Sequence, residues 1–227
     1  MTSPDSPTSN DMTTTPLKLG FIGLGIMGAP MAQHLIAAGH QLFVFTLGKM
    51  PAEIAASGAT QCTNARGVAE RADIVFLMVP DTPDVAAALF DETGVASGLT
   101  KGKTVVDMSS ISPLETKAFA KRINALGCDY LDAPVSGGEV GAKAASLTIM
   151  VGGPQSAFDR VKPLFELMGK NITQVWPSPL PPTSVMFLPI SDNSGFRRSK
   201  VASSPPHMMV RLAALAPTSP PDTGASR

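Results

Sequence analysis

The stretch "GFIGLGIMGAPMAQHL", residues 20–35, decides the fold. An apolar run leads into Gly23-x-Gly25-x-x-Gly28, and a helical pattern follows. In a βαβ unit the first glycine permits a tight turn, the second lets the backbone approach a pyrophosphate, and the third lets helix and strand pack closely. The helix N-terminus then offers free N–H groups to the phosphates. The motif predicts a dinucleotide-binding turn, and a glycine-rich turn without a ligand is the alternative interpretation.

Outward from this turn, short β-branched runs alternate with helical patterns, which is typical of βαβ units. We predict an α/β fold, a Rossmann-type, doubly wound and mostly parallel sheet. The continuously apolar run "ADIVFLMVP", residues 72–80, predicts a central strand buried on both faces. Other strands are predicted at 17–23, 40–45, 103–110, 128–134, 146–153 and 171–175, and helices at 27–38, 51–58, 83–90, 112–127 and 154–169. Pro163 should kink or split the last helix.

Composition divides the chain into three segments. We predict a disordered leader at 1–16, a dinucleotide-binding Rossmann domain at 17–175, and a disordered tail at 176–227. The tail is rich in proline and keeps no helical or strand periodicity for long. Such a segment buries too little apolar surface to offset the entropy lost on ordering.

Charge and composition narrow the class of partner. Hydrophobic residues make up 44% of the 227 residues and aromatics 5%, so the core should be aliphatic. The 18 basic and 18 acidic side chains give a net charge of zero, which predicts small-molecule partners rather than nucleic acid or an anionic membrane. Cys62 and Cys128 form no metal-ligand spacing and are interpreted as reduced, buried side chains. With no secretory signal pattern at the N-terminus, the expected location is cytoplasmic.

The end of the second strand bears on the choice of coenzyme. A Rossmann domain that selects NAD usually has Asp or Glu there, to bond the ribose hydroxyls. This chain has Thr46, and Lys49 lies close enough in sequence to meet a 2′-phosphate. An ordinary solvated loop lysine is the alternative interpretation of Lys49. Both NAD and NADP therefore stay open.

Two predicted strands end in residues suited to the ligand edge of an open α/β sheet. Val79 and Pro80 end the central strand, and Ser109 and Ser110 end the next one. A hydroxyl there could meet nicotinamide or ribose, although capping of the following helix is an alternative, for which Ser112 is the better candidate. Asp107 and Asp132 also end strands, and we interpret both as structural hydrogen-bonding groups.

A third glycine-containing segment, "DAPVSGGEVGAKAASLTIMVGG", spans residues 132–153. Ser136 follows a strand end, and Gly137 and Gly138 can expose backbone N–H groups in an anion-binding nest. Such a loop suits a small carboxylate, and a purely structural turn is the alternative.

Four motifs together resemble the β-hydroxyacid dehydrogenase family, over about residues 17–175. The sequences "DMSSISP" and "DAPVSGGE" are similar to those of the tartronate semialdehyde reductases of that family. An imine reductase or phosphogluconate-type dehydrogenase shares the first motif but is not expected to match "DAPVSGGE" so fully. The resemblance implies NAD(P)H-dependent reduction of 2-hydroxy-3-oxopropionate to glycerate, or a similar interconversion of a 3-hydroxy acid and its semialdehyde. The motifs are "GFIGLGIMGAPMAQHLIAAGH", "VPDTPDV", "VVDMSSISP" and "LDAPVSGGEVGAKAASLTIMVGG".

The resemblance also implies which residues bind each ligand. Ser136, Gly137 and Gly138 would bind the substrate. The coenzyme would contact Gly23, Leu24, Gly25, Ile26, Met27, Gly28, Thr46, Val79, Pro80 and Ser110. Many relatives have Asn-Arg or Asp-Arg where this chain has Thr46-Leu47, so the family pattern leaves the coenzyme preference open.

The resemblance stops at Trp176. Family members continue into an all-helical domain that carries a general-acid lysine, with an asparagine four residues later, and that forms the dimer. We expect this chain to lack that domain, the lysine and the family-type oligomer, and we interpret the tail as a frameshifted or wrongly assembled gene end. Lys200 is followed four residues later by Ser204 and is interpreted as an unrelated tail lysine. Three hypotheses remain: an oxidoreductase with impaired turnover, an NAD(P)-binding fragment without catalytic activity, or a non-functional translation fragment that does not fold.

Overall fold

The computed structural model describes residues 16–176. The predicted tail from Pro177 onward, and all but the last residue of the predicted leader, lie outside the described residues. The strands are β1 (Lys18–Ile22), β2 (Gln41–Phe45), β3 (Thr60–Gln61), β4 (Ile74–Leu77), β5 (Thr104–Asp107), β6 (Asp129–Asp132), β7 (Val135–Ser136), β8 (Leu147–Gly152) and β9 (Gly169–Trp176). The helices are α1 (Gly28–Ala37), α2 (Ala52–Ala56), α3 (Ala65–Arg71), α4 (Thr82–Phe90), α5 (Pro113–Ala125), α6 (Gly138–Lys143) and α7 (Gln155–Glu166), with a 3₁₀ turn at Val95–Gly98.

The nine strands form one sheet in the order β3-β2-β1-β4-β5-β6-β8-β7, with β9 also paired to β8. Strands β1 to β6 are parallel to one another, β8 runs antiparallel to β6 and β7, and β9 is parallel to β8. The chain moves outward from β1 to β3 and then returns to β4 on the other side of β1. This reversal places a ligand crevice at the carboxyl ends of β1 and β4. The predicted Rossmann-type, mostly parallel sheet is confirmed.

An aliphatic core covers each face of the sheet. Strand β4 is buried along its whole length, which confirms its prediction as a central strand. On one face Phe76 lies between Phe21 and Phe165, with ring centroids 6.0 Å and 6.4 Å apart. That face is covered by α1, α2, α6 and α7, and the opposite face by α3, α4 and α5. Covering helices on both faces explain why the central strands have no polar alternation.

Several elements differ from the sequence-based predictions. The sequence patterns did not predict β3, α3, the 3₁₀ turn, β7 or α6. Helix α7 is neither split nor ended at Pro163. Proline leaves the carbonyl four residues earlier without its helical donor, and here both Pro163 and Asp159 lie on the exposed face of α7, where water can bond to that carbonyl.

Candidate dinucleotide site

The three glycines of the β1–α1 turn lack a side chain for different reasons. Gly23 has a φ of +91°, and an added Cβ would lie 2.2 Å from the Met78 carbonyl oxygen. A Cβ on Gly28 would lie 1.9 Å from the Gly23 carbonyl oxygen. Packing within the protein therefore requires both. A Cβ on Gly25 would meet no atom of the described residues within 4 Å, so the space above Gly25 is open to a ligand.

The N-terminus of α1 is prepared for an anion. Met27 occupies the N-cap position, and no side chain of the described residues caps the helix there. The first turn contains no acidic residue. The Ala29 N–H already donates to the Gly25 carbonyl oxygen and Pro30 has no N–H, but the N–H groups of Met27 and Gly28 have no partner among the described residues. These two groups and the positive end of the helix dipole therefore remain available to a phosphate.

A cavity of about 850 Å³ opens at the carboxyl ends of β1, β2 and β4. This volume lies within the usual range for small-molecule and cofactor sites. All ten residues predicted to contact the coenzyme line this cavity, although they come from four separate segments of the chain. They are Gly23, Leu24, Gly25, Ile26, Met27, Gly28, Thr46, Val79, Pro80 and Ser110.

The end of β2 forms one side of the cavity, through Thr46, Leu47 and Gly48. Leu47 is 92% exposed and Ile26 is 71% exposed, although both are large apolar side chains that line the cavity. A bound planar group would cover this apolar surface. Lys49 is exposed and is not among the described lining residues.

Helix α4 forms the facing wall, which the sequence analysis missed. Its lining residues are Asp84, Ala87 and Ala88, and Asp91 and Gly94 follow in the loop. The alanines leave room because their side chains are short. The signal was present in "PDVAAALF": small residues recur on a helix that directly follows the central strand.

Hydrogen bonds join the ends of β4 and β5. The Ser109 hydroxyl accepts from the Val79 N–H at 3.1 Å. The buried Asp107 carboxylate accepts from the Ser109 N–H at 3.0 Å and from the Tyr130 hydroxyl at 2.9 Å. Burial raises the pKa of Asp107, and the hydrogen bonds from Ser109 and Tyr130 oppose this rise. These contacts agree with the structural role predicted for Asp107.

Among the described residues, Asp132 does not make the structural hydrogen bonds that the sequence analysis predicted for it. It lies beside Asp107 in the register of β5 and β6, but its carboxylate has no hydrogen-bond partner within residues 16–176. Burial, followed by the charge of Asp107, raises the pKa of Asp132 to about 7. Its carboxyl group is therefore an unpaired titratable group at the ligand edge of the sheet.

The residues predicted to bind the substrate lie outside the described lining of the cavity. Ser136, Gly137 and Gly138 are exposed and are not among the described residues that line the cavity. Ser136 ends β7, Gly137 follows it, and Gly138 begins α6. Helix α6 is fixed to α1 because the His34 Nε2–H donates to the Ala142 carbonyl oxygen at 2.8 Å. The role of Ser136, Gly137 and Gly138 in substrate binding stays a prediction.

Residues 16–176 contain neither a membrane-spanning helix nor a cluster of metal ligands. No helix there is both long and apolar enough to cross a membrane. No three His, Cys, Asp or Glu side chains in this part of the chain cluster in a way that could hold a metal ion.

Comparison with known proteins identifies similar chains. The family model of the NAD binding domain of 6-phosphogluconate dehydrogenase matches residues 18–176. The chain is 62% identical over 159 residues to 2-hydroxy-3-oxopropionate reductase of Escherichia coli (strain K12), covering 70% of this chain and 54% of that protein. It is 45% identical over 156 residues to the mitochondrial 3-hydroxyisobutyrate dehydrogenase of Drosophila melanogaster, covering 68% and 48%. The chain thus spans about half the length of the curated relatives it matches.

Solved structures that match this chain include an enzyme with the same name as one of these relatives. Mycobacterium tuberculosis 3-hydroxyisobutyrate dehydrogenase with L-serine matches with a TM-score of 0.66 and 33% identity, over 72% of this chain and 56% of that one. A structure described as Psf3 in complex with NADP+ and 2-OPP matches with a TM-score of 0.66 and 27% identity, over 71% and 57%. The comparisons confirm the family resemblance predicted from the motifs.

Proposed function

This chain belongs to the family of the NAD binding domain of 6-phosphogluconate dehydrogenase, and we propose from that premise how its cavity holds NAD or NADP. The open space at Gly25 and the free N-terminus of α1 receive the pyrophosphate. The end of β2, from Thr46 to Gly48, receives the adenosine ribose. Val79, Pro80 and Ser110 on the other side receive the nicotinamide half.

The observation that carries this proposal is the convergence of distant residues. Ten residues chosen from the sequence come from four segments, and all of them line one cavity. The family's NAD binding description agrees with the predicted coenzyme class. The residues fit a dinucleotide, because both the apolar lining and the amide-rich turn are in place.

For the reaction, we propose NAD(P)H-dependent reduction of 2-hydroxy-3-oxopropionate to glycerate, or interconversion of a similar 3-hydroxy acid and semialdehyde. The 62% identity to the Escherichia coli 2-hydroxy-3-oxopropionate reductase supports this substrate class. When bound, the reduced nicotinamide supplies a hydride for the aldehyde carbon, while a general acid must protonate the carbonyl oxygen. On this proposal Ser136, Gly137 and Gly138 hold the substrate carboxylate.

A second candidate function is coenzyme binding without turnover. One observation favours it: the predicted substrate loop lies outside the described lining of the cavity. General acid–base catalysis typically contributes about 10²- to 10⁴-fold, so a chain in which no group fills that role would show little activity.

An enzyme assay with the full 227-residue chain separates the two candidates. Oxidation of NADH or NADPH is followed by absorbance, with and without 2-hydroxy-3-oxopropionate. Substrate-dependent oxidation supports the reductase. Saturable coenzyme binding without oxidation supports the second candidate, and the absence of both contradicts the two together. Turnover that disappears in Lys200→Ala would identify Lys200 as the general acid and contradict its interpretation as an unrelated tail lysine.

A further inference from the structure

The loops that follow β4 and β5 are joined by two hydrogen bonds, one on each side of the residues that line the cavity. The first runs from the Val79 N–H to the Ser109 hydroxyl at 3.1 Å. The second runs from the Ser112 N–H to the Thr82 hydroxyl at 3.2 Å. Pro80 and Ser110 lie between these two bonds and line the cavity. The bonds therefore fix the two loops relative to each other at the point where they face a ligand.

Ser109 is the inner of the two connections and is 1% exposed. A serine hydroxyl has one proton to donate and lone pairs that accept. The Ser109 N–H donates to Oδ1 of the Asp107 carboxylate at 3.0 Å. This bond holds the backbone of Ser109 in place, and with it the hydroxyl that accepts from the Val79 N–H. The carboxylate therefore fixes the position from which Ser109 accepts.

Asp107 is itself held in place. It is 0% exposed, and the Tyr130 hydroxyl donates to its Oδ2 atom at 2.9 Å while the Ser109 N–H donates to Oδ1. Charge-assisted hydrogen bonds of this kind are stronger than neutral ones. Because the carboxylate is bound on both oxygens, the position that it gives to the Ser109 backbone is rigid.

The two sides of the cavity receive different halves of a dinucleotide. In Rossmann domains the end of the second strand contacts the adenosine ribose. Here that side is formed by Thr46, Leu47 and Gly48. The loops after β4 and β5 lie across the switch point, so they face the nicotinamide half.

We propose that Ser109, held in place by the buried Asp107 carboxylate, is a positioning residue that holds the Val79–Pro80 turn and Ser110 against the nicotinamide half of the coenzyme. This inference rests on the proposed coenzyme site. Neither Ser109 nor Asp107 lines the cavity. The inference therefore gives both residues a function in coenzyme binding without direct contact.

The test compares binding of the whole coenzyme with binding of its adenosine half. NADH and NADPH are titrated by fluorescence into the full chain, and ADP and 2′,5′-ADP compete as the adenosine halves. The variants are Ser109→Ala and Asp107→Asn. Thr104→Val is the matched control, because it also removes the hydroxyl of a fully buried residue. This hydroxyl accepts from Arg160 Nη2 at 2.6 Å and lies at the end of β5 away from the cavity. Thermal unfolding verifies that each variant is folded at the assay temperature.

We expect Ser109→Ala and Asp107→Asn to weaken binding of the reduced coenzyme about tenfold, because the Val79 N–H loses or misaligns its acceptor. Binding of the adenosine half should stay within about twofold, and Thr104→Val should change neither. Equal weakening of both ligands, or wild-type affinity in Ser109→Ala, would overturn the inference. So would a wild-type chain that binds the coenzyme no more tightly than its adenosine half, although the proposed coenzyme binding would then still stand. Failure of the wild type to bind any of these ligands would instead contradict the proposed function.

Discussion

At the level of single residues, Gly25 gives the sharpest test of a ligand at the β1–α1 turn. Replacement by alanine puts a methyl group into space that no described residue occupies. We expect Gly25→Ala to leave the free energy of unfolding unchanged, or to raise it by up to about 1 kcal/mol through the unfolded state. The same methyl group should weaken coenzyme binding at least about tenfold, because it meets the pyrophosphate. Calorimetric titration and chemical denaturation measure the two effects.

Gly28→Ala is the matched control for that experiment. Its added methyl group would lie 1.9 Å from the Gly23 carbonyl oxygen, so the backbone itself must move. We expect it to lower the free energy of unfolding by about 2 kcal/mol or more. A Gly25→Ala chain that is destabilised as much as Gly28→Ala, or that binds coenzyme normally, would contradict the assignment of this space to a phosphate.

Thr46 gives a second residue-scale prediction, on coenzyme preference. An aspartate at the end of β2 can accept from the 2′-hydroxyl of NAD(H), and it repels the 2′-phosphate of NADP(H). We expect Thr46→Asp to raise the ratio of the dissociation constants, NADPH over NADH, by about tenfold or more. The preference is measured by titration of both coenzymes into wild type and variant, with Thr46→Asn as the uncharged control. An unchanged ratio would show that the adenosine ribose does not lie beside Thr46.

Single site residues could be predicted from the sequence where a local motif marks them. The glycine spacing, together with the strand before it and the helix after it, was enough to identify the turn. Leu47 also lines the cavity, but its position depends on how β2 and α4 approach each other across the sheet. No local pattern encodes that approach.

At the level of elements, the adjacent ends of β5 and β6 predict a pH dependence of stability. Asp132 and Asp107 are register partners there, and the pKa of Asp132 is raised to about 7. In the unfolded chain the pKa of aspartate is about 3.9, so the folded state retains a proton that the unfolded state releases between about pH 4 and 7. Stability is therefore lost as the pH rises through this range. The raised pKa of Asp107 acts in the same direction, and that of Tyr130 acts only at much higher pH.

The variant Asp132→Asn isolates this contribution. We expect the free energy of unfolding of the wild type to fall between pH 5 and pH 8 by about 2 kcal/mol more than that of the variant, after allowance for solvent at the half-buried site. Denaturant unfolding at several pH values measures the difference. Parallel pH profiles for the two proteins would show that Asp132 titrates normally.

Elements were predicted best where periodicity ran long enough to identify them. The apolar run of β4 and the capped pattern of α5 gave the correct elements because each has a clear period and clear ends. Helix α3 has seven residues and α6 has six, too few for a hydrophobic stripe to stand out. Helix α6 also begins directly after Gly137, whose φ is +132°, so its sequence was interpreted as a loop. Strand β7 has two residues and exists through its pairing with β8.

At the level of the whole molecule, one sheet with both faces covered already forms a coenzyme cavity. The fold could be predicted from alternating segments because each βαβ unit buries its strands between helices. Coenzyme binding is the property that the described residues support by themselves. On the proposed reaction, turnover requires in addition a general acid and the predicted substrate loop, and Ser136, Gly137 and Gly138 of that loop are not among the described residues that line the cavity.

Direct titration of the full chain with NADH and NADPH tests the central claim. Fluorescence of the reduced nicotinamide should show saturable binding of at least one coenzyme. The same coenzyme should raise the midpoint of thermal unfolding as its concentration increases, because a ligand that binds the folded state stabilises it by RT ln(1 + [L]/Kd). A folded chain that shows neither saturable binding nor a thermal shift with either coenzyme at millimolar concentration would contradict the account.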